Sequence, residues 1–92
     1  MTDRLRQLAL TFPTLQRAPL ADVADLAEWL KGPIPGTGAT QAGLFILSVW
    51  AGSSDGPSGW GLPRFDALRA IGGWDERHRS AFLAWAESPW WV

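Results

Sequence analysis

The sequence predicts an all-α protein, a compact single-domain bundle of four to five short helices around a central apolar helix at about 39–51. Three observations lead to this fold class. The chain has 92 residues, the size of one domain, so residues 1–92 are expected to form a single helical domain. Apolar residues make up 47% of it, which is enough for a packed core. Along the chain they recur at the three-four spacing of amphipathic helices, in segments separated by Gly and Pro.

The first half of the chain is predicted to hold two amphipathic helices. The first is expected to end or kink at Pro13 and carries its apolar side chains at helical spacing: Leu5, Leu8, Phe12 and Leu15. The second spans about 20–31 and stops at Gly32-Pro33. Residues 32–38, rich in Gly and Pro, are then expected to form a loop.

Residues 39–51 are apolar on almost every side. Only Gln41 and Ser48 are polar in this stretch, which predicts a helix at the centre of a bundle. A buried strand is the alternative, because several of its residues are also good strand formers: Phe45, Ile46, Val49 and Trp50. The length of the stretch and its Ala and Gln content favour the helix.

The second half is predicted to contain a long loop and two helices. Residues 52–62 hold four Gly and one Pro and form the loop. A short helix follows at about 63–71, with an apolar side made of Phe65, Leu68 and Ile71. Asp75 is expected to cap the last helix, which Pro89 stops. Its inward face comprises Ala81, Phe82, Trp85 and Ala86.

Charge and composition exclude several kinds of function. The formal net charge is −1, with eight Lys and Arg against nine Asp and Glu, and this argues against general phosphate-backbone binding. The chain has no Cys and a single His, so no metal or cofactor site is expected. We find no set of residues that amounts to a catalytic site and predict that the protein is not an enzyme.

The sequence also bears on the compartment. Residues 1–6 lack the apolar stretch of a signal peptide. The most apolar run, 42–52, is shorter than the ~18 residues that span a bilayer. Because the absence of Cys fits a reducing environment, we expect a cytoplasmic protein without membrane contact.

Two local patterns point to chemistry only weakly. Glycines in residues 35–40 open the central helix, but a phosphate-binding loop would follow a strand and bring a Lys or a third, spaced Gly. A flexible helix–helix connection is the favoured interpretation. His78 lies beside Asp75, but no serine stands in a nucleophile context, and Ser80 falls on a different face of the helix. We therefore expect His78 to be solvated or partly packed.

Four arginines in the last third of the chain suggest an alternative function. The segment 63–87 has the order helix, Gly-containing turn, helix, which resembles a helix-turn-helix reader of DNA. The acidic residues Asp66, Asp75 and Glu76 would repel phosphate nearby. The residues that would carry nucleic-acid binding are Arg64, Arg69, Arg77 and Arg79.

The tryptophans are the most specific signal in the sequence. Four of the seven fall within or at the ends of predicted helices and are expected in the core: Trp29, Trp50, Trp74 and Trp85. Trp60 lies in a Gly-rich loop, and Trp90 and Trp91 are adjacent. Two neighbouring indoles do not easily both pack on their own domain, and Trp is enriched at binding hot spots. The alternative is that the segment folds back, with one indole closing the core and the other covering the end of the bundle.

Residues 74–91, from Trp74 to Trp91, resemble the C-terminal end of short, Trp-rich, uncharacterised bacterial proteins, with a weaker likeness at 42–50. The resemblance covers about the last fifth of the chain and implies a bacterial, cytoplasmic origin. It implies no activity and no functional residue.

Three functions follow from these observations. The leading hypothesis is a protein–protein interaction module or homodimer that uses Trp60, Trp90 and Trp91. The second is a nucleic-acid accessory protein that uses the four arginines. The third is a binder of an unknown small molecule, with its pocket between the Gly-rich loops at 32–38 and 52–62.

Overall fold

Five α-helices make up most of the chain that the computed structural model describes, residues 1–33 and 35–92. They are α1 (Asp3–Leu10), α2 (Val23–Leu30), α3 (Thr37–Ala51), α4 (Ala67–Gly73) and α5 (Glu76–Glu87), with short 3₁₀ turns at Pro13–Leu15 and Gly56–Trp60. No strand occurs in the described residues, and the all-α fold class is confirmed. Ile34, within the predicted loop 32–38, lies outside them. None of the described helices combines the length and the apolarity needed to cross a membrane.

Helix α3 lies at the centre of the bundle. Every residue from Gln41 to Val49 is buried, so the helix interpretation of this stretch is confirmed over the strand. α1, α2, α4 and both 3₁₀ turns pack against it. A helix without a polar face has to be enclosed on all sides, which explains its position. Gly52, in the left-handed region at φ 75°, ends it.

Phe45 of α3 joins the elements around it through ring contacts. Its centroid lies 5.6 Å from that of Phe12 and 5.5 Å from that of Phe65. Two rings of α5, Phe82 and Trp85, meet it edge-on at 5.1 and 5.0 Å. Edge-to-face pairs at these separations are attractive beyond the area that they bury, so this cluster holds α5 against α3.

Gly43 allows α2 to approach α3 closely. A Cβ atom added at this position would lie 2.5 Å from Cδ2 of Leu30, a separation that real Cβ atoms essentially never show. Leu30 is itself buried, so it has little space to move aside. The packing of these two helices therefore depends on the missing side chain.

Three expectations about the apolar side chains are wrong. Leu68 is 87% exposed, because α4 begins at Ala67, after the Asp66 cap, and turns Ala70 inward instead. Trp50, expected in the core, is 40% exposed because it lies in the last turn of α3, beyond the enclosed part of that helix. Ala86, placed on the inward face of α5, is exposed.

Candidate functional site

Residues Trp90 and Trp91 are held against the bundle by specific contacts. The indole Nε1 of Trp85 donates to the carbonyl of Trp90 at 3.0 Å. The guanidinium carbon of Arg4 lies 4.1 Å from the centre of the Trp90 ring, within cation–π range. The Trp91 ring meets Trp85 edge-on at 5.1 Å but remains 55% exposed. The segment thus folds back, with Trp90 packed against the core and Trp91 open to solvent.

The third tryptophan of the predicted interaction set, Trp60, ends the second 3₁₀ turn and is half-buried. Its ring lies 6.0 Å from that of Trp50. The surface indoles therefore occur as two ring pairs, Trp85–Trp91 and Trp50–Trp60. Sequence reasoning missed Trp50 as a surface residue, because its position in an apolar run looked like that of a core residue.

His78 is buried, contrary to the expectation of a solvated or partly packed side chain. Its ring Nδ1 lies 2.7 Å from Oδ1 of Asp75, and its Nε2 lies 2.8 Å from Oγ1 of Thr14. Only 4% of the residue is exposed, because Phe12 and Trp74 cover the ring, with both centroids 6.0 Å away. The first turn of α5 is therefore anchored to the segment that follows α1.

When the imidazole is neutral, these contacts assign its proton. A carboxylate only accepts, so Nδ1–H donates to Asp75, and the Thr14 hydroxyl donates to Nε2. Oδ1 of Asp75 also accepts from the backbone N–H of His78 at 3.0 Å and so caps α5. That backbone hydrogen bond, followed by the hydrogen bond from the His78 ring, lowers the pKa of Asp75 below its ordinary value.

The hydroxyl, imidazole and carboxylate of these residues stand in the order found in acyl-transfer triads. We interpret these three hydrogen-bonded side chains as a structural latch, because both nitrogens of the His78 ring have hydrogen-bond partners and the ring is enclosed. The contact between Asp75 and His78 could be predicted from the sequence, because His78 lies three residues after the capping residue. The contact between Thr14 and His78 could not be predicted, because 64 positions separate the two residues.

The four arginines of the nucleic-acid hypothesis do not share one cavity. Arg64 and Arg69 line a cavity beside the start of α3. Arg77 lines another, against Thr11 of the segment after α1. Arg79 donates to the backbone carbonyl of Trp74. Among the described residues, no group of three His, Cys, Asp or Glu is placed to hold a metal ion.

The fold and these surfaces define a small helical bundle with two tryptophan pairs, each with one exposed ring, and an arginine-lined cavity. No protein-family model matches the chain, and neither does any curated protein or solved structure.

Proposed function

We propose that the protein is a protein–protein interaction module that associates through the tail surface, defined as Trp85, Trp90 and Trp91. The observation that carries this proposal is the 55% exposure of Trp91 on a segment that is otherwise held in place. A second copy of this chain is the partner that we favour. Because the net charge is −1, electrostatic repulsion between two copies is weak.

Pre-organisation makes this surface a better binding site than a free indole would be. Immobilising a flexible side chain at an interface costs about 0.5–1.5 kcal/mol. Here the contacts of Trp90 with Trp85 and Arg4 have already ordered the segment before any partner arrives. Covering the open face of Trp91 therefore adds apolar burial at a reduced entropic cost.

The test is sedimentation equilibrium over a wide range of protein concentration. We expect a concentration-dependent mass that reaches the dimer, with the dissociation constant raised about tenfold or more in Trp91→Ser, as for a hot-spot tryptophan. Leu68→Ser is the matched control, because Leu68 is 87% exposed on α4, outside the tail surface. It should leave the dissociation constant unchanged.

Two outcomes would refute self-association through this surface. One is a strict monomer at every concentration. The other is a dimer that Trp91→Ser and Leu68→Ser weaken equally, which would indicate nonspecific apolar contact. The absence of Cys supports a cytoplasmic setting for the association.

A further inference from the structure

A cavity of about 460 Å³ lies between the first turns of α3 and residues 63–69. This volume is within the range of about 300–1,000 Å³ that is typical of small-molecule sites. Its polar lining consists of Thr37, Thr40, Gln41, Arg64, Asp66 and Arg69. One wall includes part of the Gly-rich loop at 32–38, as the small-molecule hypothesis expects. The other wall is the segment at 63–69 instead of the loop at 52–62.

The N-terminus of α3 opens onto this cavity without a side-chain cap. Gly36 precedes the helix, and no side chain among the described residues bonds to its first amides there. By contrast, Thr2, Asp22, Asp66 and Asp75 cap the other four helices. The first N–H groups of a helix have no acceptor inside it, and its dipole favours an anion at that end. α3 has 15 residues, so this is a full-length helix terminus.

Gln41 provides an independent indication of a ligand. Its side chain lines the same cavity, the residue is only 9% exposed, and its Oε1 is buried with no hydrogen-bond partner among the described residues. Gln41 lies four residues after Thr37, which places both on the same face of α3. A buried amide without a partner destabilises the folded chain unless something else bonds to it. An occupant of the cavity would meet this amide and the helix terminus together.

Arg64 and Arg69 supply the positive charge of the opposite wall. A guanidinium pairs with an oxyanion through two parallel hydrogen bonds, which suits phosphate. The Nε of Arg64 lies 3.3 Å from Oδ1 of Asp55, and its Nη2 donates to Oγ of Ser54 at 3.1 Å. Both contacts are exposed to solvent, so each contributes little, and a phosphate would compete with them for the guanidinium. Asp66 opposes an anion, although its Oδ1 is engaged by the backbone N–H of Arg69.

From these observations we infer that the cavity binds a small phosphate-bearing molecule. Its phosphate lies between the two arginines and the start of α3, and its remaining polar groups meet Gln41. Pro35, Leu44 and Pro63 give the cavity an apolar side for the organic part. This site is distinct from the tail surface, and it does not depend on self-association.

The test is a titration of the ¹⁵N-labelled protein with inorganic phosphate and with phenyl phosphate at constant ionic strength. We expect saturable shifts of the amide resonances of Thr37, Gly38 and Ala39 with both ligands. Arg69→Ala should weaken binding about tenfold. Arg77→Ala, an exposed arginine outside this cavity, is the matched control and should bind as the natural chain does.

Two further variants separate a ligand site from a structural feature. Asp66→Asn keeps a capping side chain on α4 and removes the opposing charge, so it should tighten phosphate binding. Gln41→Leu removes the unpaired amide, so it should raise the melting temperature while weakening the binding of phenyl phosphate. The proposal is overturned if the three amides show no saturable shift. It is equally overturned if Arg69→Ala and Arg77→Ala bind alike, or if Asp66→Asn binds no more tightly.

Discussion

Replacing Thr14 by Val tests whether the latch between Thr14, His78 and Asp75 stabilises the fold. Valine has nearly the shape of threonine but cannot donate to Nε2 of His78. That nitrogen belongs to a residue with only 4% exposure, so water has little access to take over. Leaving a buried acceptor unpaired costs about 1–3 kcal/mol. Thr14 itself lies at the surface, so the added methyl group recovers little by burial.

The loss would be a measurable part of the total stability, which for a chain of this length is about 5–14 kcal/mol. Urea unfolding followed by tryptophan fluorescence gives the free energy directly, and the melting temperature should fall by about 4–8 °C for each kcal/mol lost. Thr14→Ser keeps the hydroxyl and is the control. If Thr14→Val falls within about 0.5 kcal/mol of the natural chain, like an ordinary surface substitution, the latch reasoning is refuted.

Three further predictions concern the core and the α5 cap. Gly43→Ala should be destabilising by urea unfolding, because overpacking against Leu30 costs about 1–3 kcal/mol and outweighs the helix-propensity gain of about 1 kcal/mol; a more stable variant would show that the α2–α3 contact is loose. Phe45→Ala should lower the free energy of unfolding by about 3–5 kcal/mol, and Phe45→Leu should lose less but still be destabilised because it keeps apolar volume without the ring; a Phe45→Leu variant as stable as the natural chain would contradict the ring-contact argument. The lowered pKa of Asp75 contributes stability above the ordinary carboxyl value of about 3.9, which is lost as the pH falls through the lowered pKa. Asp75→Asn should therefore show a flatter loss of stability in acid, measured by urea unfolding at a series of pH values, and a slope equal to that of the natural chain would exclude Asp75 as a cause.

Local sequence patterns predicted which helices form more accurately than they predicted the residues at which those helices begin and end. Asp75 caps α5 as expected, and the apolar stretch at 39–51 is the buried helix. The helix expected at 63–71 begins four residues later, at Ala67, because Asp66 takes the cap position. Capping depends on one side chain and its own backbone, so several residues near a boundary compete for that role, and the sequence does not rank them.

The candidate surfaces were only partly predictable. The adjacent indoles Trp90 and Trp91 drew attention from the sequence, but which of them would be covered depended on Arg4 and Trp85. Gln41 was noted only as a polar exception in an apolar helix. Only the structure shows that its oxygen has no partner among the described residues and that its side chain lines the cavity beside residues 63–69.

By itself, the sequence determined that the protein is a helical bundle and that α3 is its centre, because the apolar periodicity of a segment constrains its own conformation and the face that it must bury. Only the tertiary structure decided that Thr14 meets His78, that Arg64 and Arg69 share a cavity, and that Trp91 faces solvent. Those outcomes depend on contacts between residues far apart in the chain. Their geometry is set by how all the helices pack together, and no local pattern encodes it.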